Sequence, residues 1–403
     1  MKDALPSLTE IPYSAYTEQE TFDREMETLF QGPVWHFLGL ASSIQKAGDF
    51  ITNEIAGIPV VTVRSGVEYK AFVNRCVHRG SLLCLEQKGK IDQFSCVYHG
   101  WTYDLNGNLT GVAFERGIKG NGGMPKDFNK SDYTLRELKV EVFCGVIFGS
   151  FDKKIAPIES YAGLEITQGM SRVLPKTPIL IGRTSQLIHS NWKVYVENNH
   201  DSYHASILHS FFTTFKLNRL TQAGGIVINE AGGSHISFSK RKQETDDHAY
   251  DSEKLRSNHE EFGLKDPGAL AFIDEFDDQI SLQILTLFPL IVFHQISNSL
   301  CIRQIIPRGV KQVEIVWWYY GFEDDTDTLR SARLMQINLV GPAGYISMED
   351  GAVGEFVQRN AYYSEGASGI IKMGGDDYKS SPSRVTEAAI RGFWKQYHDH
   401  MRC

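Results

Sequence analysis

Four residues in two short runs bring together the donors of a redox metal centre. Cys76-Val77-His78 is followed, after residues 79–95, by Cys96-Val97-Tyr98-His99, so each run offers one thiolate and one imidazole. Two thiolates and two imidazoles are the ligand set of a [2Fe–2S] centre in which the cysteines hold one iron and the histidines the other. Neutral imidazole in place of anionic thiolate raises the net charge of such a cluster and moves its reduction potential upward, so that it accepts electrons readily. Structural zinc uses the same residue types. A zinc finger, however, pairs Cys with Cys and His with His, whereas each run here is mixed. Gly80 and Gly100 follow the runs, where a chain wrapping closely round a cluster needs small residues. The iron–sulfur reading is preferred, with Arg79 and Trp101 flanking the cluster. Cys84, Cys144, Cys301 and Cys403 lack such spacing and read as ordinary thiols.

A second constellation lies about a hundred residues downstream, in NWKVYVENNHDSYHASILH (191–209). Asp201 and His204 are three apart, on one face of a helix, and His209 follows five residues later. Residues five apart on an ideal helix differ by about 140° in direction. One metal ion can meet both rings only if the helix ends or bulges, and a distortion is predicted near Ile207. Two imidazoles and one carboxylate make the facial triad of non-haem Fe(II) oxygenases, which leaves positions open for water, O₂ and the substrate's approach. The third ligand must come from far along the chain. In GPAGYISMEDGAVGEFVQR (341–359), Glu349 and Asp350 stand in an apolar, small-residue stretch. Asp350 is the choice; Glu355, which reads as a solvent-facing helical charge, is the alternative. His200, His235 and His294 stand near this site by sequence position only.

Around these residues the sequence organises into three parts. Residues 17–31 carry Phe22, Met26, Leu29 and Phe30 at helical spacing, with Thr17 and Glu20 resembling a capping box. From Trp35 to about Phe151, short β-rich runs such as IPVVTVRS and VFCGVIFGSF alternate with turn residues, which predicts a small all-β domain. Beyond Lys153, strands are predicted at 179–189, 225–240, 282–306 and 312–322, and helices at 192–209, 327–338 and 384–401. That mix predicts an α+β domain on an antiparallel sheet. The polar 241–267 stretch reads as a surface excursion, and no internal repeat is visible. The chain has 403 residues and a net charge of -8, with no stretch that concentrates Lys and Arg among stacking aromatics, so nucleic acid is not an expected partner. Apolar runs are too short to span a membrane, the first twenty residues lack the apolar core of a signal peptide, and six cysteines are sparse for a disulfide scaffold. These features lead to the expectation of a soluble protein of the reducing cytoplasm.

On these motifs the chain resembles, essentially end to end, the large (α) subunits of Rieske non-haem iron aromatic-ring-hydroxylating oxygenases. The cluster motif matches as Cys76, His78, Cys96 and His99, and the iron motif as Glu197-Asn198, Asp201, His204 and His209. The resemblance implies residues 1–36 as a helical segment packing on the catalytic domain, 37–153 as the Rieske [2Fe–2S] domain, and 154–403 as a helix-grip (START/Bet v1-like) domain with mononuclear non-haem Fe(II). It implies Asp350 as third iron ligand. It further implies that Asp201, with Asn198 beside it, is no ligand but the carboxylate linking His99 of one protomer to His204 of its neighbour. Stretches such as GVAFERGIKGNGGMP, DSYHASILHSFFTTFKLNRL and RGFWKQYHDHM are most similar to family members that dioxygenate terephthalate, with those acting on salicylate, anthranilate, isophthalate and other benzoates as alternatives. Among terephthalate-type members, basic and hydroxyl side chains bind the substrate's carboxylates. The matching positions here are Arg303, Arg391 and either Ser237 or Ser239. Arg303 sits in a predicted strand, sharing a face with Cys301 and Ile305. Facing an apolar pocket, it needs an anion to pair with it; an outward register or an internal acid is the competing expectation. The chain lacks a Gly-rich dinucleotide fingerprint opening a βαβ unit. Electrons from NADH are therefore expected through a separate flavin/iron–sulfur reductase, with O₂ as co-substrate. The resemblance also implies a small β subunit in an α₃β₃ hexamer, with α₃ as the alternative. A related monooxygenase and a plain electron carrier are the competing functions, the latter leaving the large second domain unexplained.

Overall fold

A computed structural model describes residues 7–244, 249–255, 259, 261–265 and 267–402. They fall into two compact units: Phe30–Pro157, and a second that joins the chain through Leu29 with the chain from Ile158 onwards.

The first unit is all β. Strands His36–Leu40, Val146–Ser150, Glu137–Phe143, Glu68–Val73, Ile58–Ser65, Asp49–Ile55 and Lys88–Lys90 lie in that order in one antiparallel sheet. Val60, Val61, Thr62 and Val63 of the central Ile58–Ser65 strand are all buried, which is why that segment reads as a continuous β-branched run. A second, three-stranded sheet (Phe94–Ser95, Thr102–Tyr103, Leu109–Gly111) brackets the second cysteine. Cys76 and Cys96 share one core with Phe72, Phe94, Trp101 and Tyr103.

The second unit is the predicted α+β domain. Its strands are β1 (Ile179–Ile188), β2 (Gln222–Ile228), β3 (His235–Glu244), β4 (Ile280–Leu287), β5 (Ile291–Ile296), β6 (Ser299–Gly309) and β7 (Gln312–Gly321), in the order β1-β7-β6-β5-β4-β3-β2, all antiparallel. Two predicted strands are in fact several. The 225–240 run turns between Ile228 and His235, and 282–306 is three strands, reversing between Leu287 and Ile291 and at Ser297-Asn298. The 229–234 turn carries an ordinary signal in Asn229, Gly232 and Gly233, whereas the turns within 282–306 lie between buried strands whose apolar patterning runs on across them. The unit's helices include α1 (Trp192–His200), α2 (Asp327–Val340), α3 (Tyr345–Ala361) and α4 (Ala388–Met401), besides Leu164–Val173 and several shorter ones. α3 was not among the predicted helices, its glycines obscuring the pattern. The 241–267 stretch is described only in part, and Cys403 lies outside the described residues.

The N-terminal helix covers Gln19–Arg24 and continues as a π turn over Glu25–Leu29. The expected capping box is not formed: Glu18 occupies the cap position without a side-chain bond to the helix N–H groups, and the Thr17 hydroxyl donates to Tyr13 O at 3.4 Å. What fixes this segment is Glu25. Fully buried, it accepts from Trp192 Nε1 at 2.7 Å, from Lys193 Nζ and from the Tyr397 hydroxyl, so the segment is tied to both α1 and α4. Removing one member of a buried ion pair strands the other and costs about 3–5 kcal/mol. Lys193→Met is therefore expected to lower the thermal unfolding midpoint clearly, and the double change Glu25→Gln/Lys193→Met, which removes the stranded charge and keeps an acceptor for Trp192 and Tyr397, to recover part of the loss, as read by calorimetry.

Candidate active site

In the β unit each cysteine opens a tight loop. Cys76 O accepts from Gly80 N–H and Cys96 O from Gly100 N–H, both at 3.0 Å, while the cysteine N–H groups donate to Ser81 O and Trp101 O, both at 2.8 Å. Gly80 and Gly100 have φ of 79° and 65°, the left-handed conformation that closes such loops at no steric cost. The loops bring the His78 and His99 rings to 4.7 Å, and Trp101 stacks on His78 at the same separation. Both thiols are buried and unoxidised. Burial raises the Cys96 thiol, but backbone N–H donors from Tyr98 and His99 outweigh it and bring the thiol below its ordinary pKa. Cys76 Sγ lies 3.3 Å from the Tyr103 hydroxyl. His99 Nδ1 is buried without a protein partner, as an atom reserved for a metal would be. Burial pushes the Cys76 thiol up. The donors fit a [2Fe–2S] cluster by type and placement: two buried sulfurs inside, imidazoles outside.

In the second unit, Asn191 caps α1 by accepting the Lys193 N–H at 3.1 Å. The helix stops at His200, earlier than the predicted break near Ile207. Asp201 Oδ1 accepts from Tyr203 N–H at 2.8 Å and His204 N–H at 3.1 Å, an Asx-type turn that competes with the helix. A single turn, Ala205–Leu208, follows, and then His209 in extended conformation (φ -84°, ψ 93°). Asp201 and His204 are thus not on one helix face; a turn joins them. The second interruption at His209 re-aims its ring so that both imidazoles face α3. That helix approaches β1 through glycines: a Cβ on Gly351 would stand 2.8 Å from Gln186 Nε2. Asp350, beside Gly351, is thereby carried inward and is buried.

His204 Nε2, His209 Nε2 and Asp350 Oδ1 converge. The carboxylate oxygen is 3.3 Å from the first nitrogen and 3.2 Å from the second. The far nitrogens also face carboxylates: His209 Nδ1 is 2.8 Å from Glu349 Oε2, and His204 Nδ1 is 3.3 Å from Asp201 Oδ2 without an aligned hydrogen bond. Asn198 Nδ2 donates to Asp350 Oδ1 at 3.1 Å. A neutral imidazole has one proton to donate, so each ring, placed between two acids, needs either a second proton or a cation. Burial lowers the basicity of His204, yet the Asp201 and Asp350 carboxylates outweigh it and lift the ring to about 10. Burial likewise opposes ionisation of Asp350, but His209 and His204 hold it well below the usual carboxylate range. One divalent cation satisfies the whole arrangement, and the three donor atoms lie within 4.8 Å of one another. Two imidazoles and a carboxylate with the opposite side open suit Fe(II).

That open side is a cavity between the triad and the β-sheet. Its floor is the β-sheet, with Ser237, Ile284, His294 and Arg303 on the lining face, and its walls include Phe212 and Arg384. Both arginines are buried, and among the described residues neither has a carboxylate within ion-pair distance. Arg303 donates to the Tyr195 hydroxyl at 3.1 Å and lies 5.1 Å over the Trp317 ring. Arg384 donates to Asn218 Oδ1 and Arg219 O, and burial lowers its pKa to about 10.

Residues 34–120 match the family model of the Rieske [2Fe-2S] domain, and residues 170–402 that of the ring hydroxylating alpha subunit (catalytic domain). The chain is a Rieske ring-hydroxylating oxygenase alpha subunit. It is 48% identical, over 98% of its own length and 95% of the relative's, to terephthalate 1,2-dioxygenase terminal oxygenase component subunit alpha 2 of Comamonas sp. It is 39% identical to the anthranilate 1,2-dioxygenase large subunit of Burkholderia cepacia, covering 96% and 92% of the two chains. Salicylate 5-hydroxylase, large oxygenase component, of Ralstonia sp is 35% identical, at 96% and 93% coverage. The fold matches that of naphthalene 1,2-dioxygenase from Rhodococcus sp. with a TM-score of 0.79, at 22% identity over 97% and 94% of the chains.

As an oxygenase alpha subunit, the chain carries a Rieske cluster and a mononuclear iron. The structure brings His204, His209, Asp350, Asn198, Asp201, Arg303 and Ser237 to one place. Ser239 is buried beside it, its hydroxyl 3.4 Å from Asn218 Oδ1. The expected Arg391 is not in the cavity lining. Its guanidinium is spent on backbone carbonyls, Nε on Asp377 O at 2.6 Å and Nη1 on Ile371 O at 3.1 Å, so it braces the segment before α4. The cavity's second cation is Arg384, which the predicted 384–401 helix swallowed; α4 starts at Ala388, and Arg384 precedes it. Glu355 points away from the triad, accepting from His189 N–H at 3.3 Å. His200 and His235 bond to Val196 O and Thr286 Oγ1 in the core; of the three nearby histidines only His294 lines the cavity. Glu349, the acid on His209, was seen in the sequence as a neighbour of Asp350 but not given this role. Partners on the far nitrogen of a metal-bound imidazole are worth about 10- to 100-fold in metal affinity. Glu349→Gln is expected to weaken Fe(II) retention by that order while leaving the cluster's absorption spectrum unchanged, measured by iron analysis after dialysis against a mild chelator.

Proposed function

We propose that this oxygenase alpha subunit adds both atoms of O₂ to the ring of an aromatic dicarboxylate, terephthalate foremost, giving a cis-dihydrodiol. One ring double bond is lost, two C–O bonds form, and two electrons and two protons are supplied, ultimately from NADH and water. The observation that carries this reading is the pair of buried arginines, Arg303 and Arg384, lining the triad's cavity with no ion-pair partner among the described residues. Two fixed cations are costly unless two anions complete them, and the 48% identical relative is named for terephthalate. The iron, when bound, supplies the redox chemistry of oxygen activation. The chain's own residues orient the ring by its carboxylates, exclude water with Phe212, Ile284 and Leu282, and keep His204 and His209 aimed at one point. Ser237, on the same sheet face as Arg303, offers a hydroxyl to the nearer carboxylate.

Asp201 is assigned the link between His204 and His99 of a neighbouring copy. It faces His204 Nδ1 on one side and, on the other, lines a second hollow with Tyr16 and Ile371, the side from which an imidazole would approach. Electrons reach the cluster from a separate flavin/iron–sulfur reductase, and a small β subunit joins in an α₃β₃ hexamer, with α₃ the alternative. Thiols at Cys84 and Cys301 that form no disulfide suit the reducing cytoplasm, and among the described residues no helix is long and apolar enough to cross a membrane.

The deciding experiment is a turnover screen of holoenzyme plus reductase and NADH across benzoate, salicylate, anthranilate, phthalate, isophthalate and terephthalate under ¹⁸O₂. Terephthalate is expected to give a doubly labelled diol; turnover of monocarboxylates alone would contradict the dicarboxylate reading. Loss of one member of a buried charge pair costs on the order of a hundredfold, so Arg384→Gln should lower kcat/KM for terephthalate by about that factor and spare benzoate. Asp201→Asn is expected to retain both metal centres yet slow cluster re-oxidation severely in single-turnover stopped-flow traces. Unchanged re-oxidation would remove the link.

A further inference from the structure

The cavity floor holds more hydrogen-bonding capacity than Arg303 accounts for. Antiparallel register pairs Val292 of β5 with Arg303 of β6, and Arg303 with Trp317 of β7, so these residues share one sheet face with His294, two positions along β5. The His294 and Trp317 rings are 5.7 Å apart, and the Arg303 guanidinium lies 5.1 Å over the indole. His294 and Trp317 are fully buried and Arg303 nearly so. Yet Arg303 Nε, Trp317 Nε1 and both ring nitrogens of His294 find no hydrogen-bond partner in the protein. Among the described histidines, His294 alone is buried and unpartnered at both nitrogens.

Folded proteins rarely leave such groups orphaned, and four polar atoms orphaned together at one cavity mark a place completed by a ligand. The chemistry of the missing group follows from the donors. Arg303 Nε–H and Trp317 Nε1–H can only donate. Burial, reinforced by the Arg303 charge, holds the His294 imidazole well below its ordinary pKa, so it is neutral and adds one N–H. Three N–H groups lining one cavity floor call for an acceptor, and an ionised carboxylate, with two oxygens and about four lone-pair sites, is the matching one; the other nitrogen of the neutral imidazole is itself an acceptor and lies outside this match.

We infer that His294 and the indole N–H of Trp317 complete, with Arg303, a three-donor cradle for one carboxylate of the ring substrate, and so select against arenes lacking an anionic group. This inference rests on the carboxylate reading above and deepens it. A methyl group in place of the carboxylate would leave all three donors buried and unmet, a kind of mismatch that sites built for polar groups reject strongly.

The test is equilibrium binding to holoenzyme with both metal centres loaded and no reductase present, so that no turnover occurs. The probes are terephthalate and its uncharged analogue p-xylene, with benzoate as a control. Wild type is expected to bind terephthalate and not p-xylene. Losing one hydrogen bond to a charged group weakens binding by about 10- to 100-fold. That is the expected rise in Kd for terephthalate with His294→Leu, and again with Trp317→Phe, which removes only the N–H and part of the ring. His294→Gln, which keeps an N–H, should lose less than His294→Leu. Iron content and the cluster spectrum establish that each variant is intact. Where His294→Leu does not yield holoenzyme, His294→Gln and Trp317→Phe decide. Wild-type affinity in intact His294→Leu, or in Trp317→Phe, would overturn the cradle. Wild type that binds benzoate but not terephthalate would sink the dicarboxylate reading alone, and the same variants measured with benzoate would still judge the cradle. Wild type that binds no carboxylate would sink both.

Discussion

Two imidazole nitrogens and one carboxylate oxygen aimed at a single buried point are unstable company for one another unless a cation joins them, and the catalytic unit is shaped by that requirement. The rings of His204 and His209 each stand between two acids, with Asp350 shared. Without a cation each ring must take a second proton to satisfy its two acids; one divalent ion takes the place of those protons between the rings and Asp350. The broken helix that presents the histidines, the glycine-lined face by which α3 reaches β1, and the Asn198 amide bonded to Asp350 all serve to hold three atoms close enough for one metal.

The elements that bear these residues are fastened by buried acids rather than by apolar packing alone. Glu25 draws the N-terminal segment onto α1 and α4, and Glu197, one turn before Asp201, does the same on the next turn. It accepts from the Tyr16 hydroxyl and from Trp394 Nε1, both at 2.6 Å. Burial raises the Glu197 carboxyl to about 7. α1 is thus gripped by segments from opposite ends of the sequence just where it delivers Asn198 and Asp201, which gives those distant segments a stake in the geometry of the metal site. The cavity floor, by contrast, is a continuous antiparallel sheet, a rigid surface on which cross-strand register decides which side chains face the ring.

What the sequence reveals of this arrangement depends on how locally each part is specified. Cys76, His78, Cys96 and His99 lie in two short runs whose turn glycines are adjacent, so the cluster site is readable without a fold. His204 and His209 are likewise close, and their awkward spacing announces a break in the helix, although the break falls at Asp201 and His209 and not at Ile207. Asp350 is legible because an acid in a small-residue stretch is unusual. The role of Arg384 is not, and the resemblance points to Arg391 in its place, since the distinction turns on where α4 begins, and the start of a helix without a side-chain cap leaves little trace in the sequence. The unpartnered state of His294 and Trp317 is illegible for a further reason: it is a property of three strands in register, and each residue alone reads as core.

The central claim, that this buried triad holds one mononuclear ferrous ion alongside the cluster, is tested most directly by Mössbauer spectroscopy of ⁵⁷Fe-loaded, dithionite-reduced holoenzyme. The account predicts a high-spin ferrous site of N/O character in about a one-to-two ratio to the cluster irons, and its loss, with the cluster signal intact, in His209→Ala. A spectrum containing the cluster alone in wild-type protein supplied with ferrous ion would contradict it.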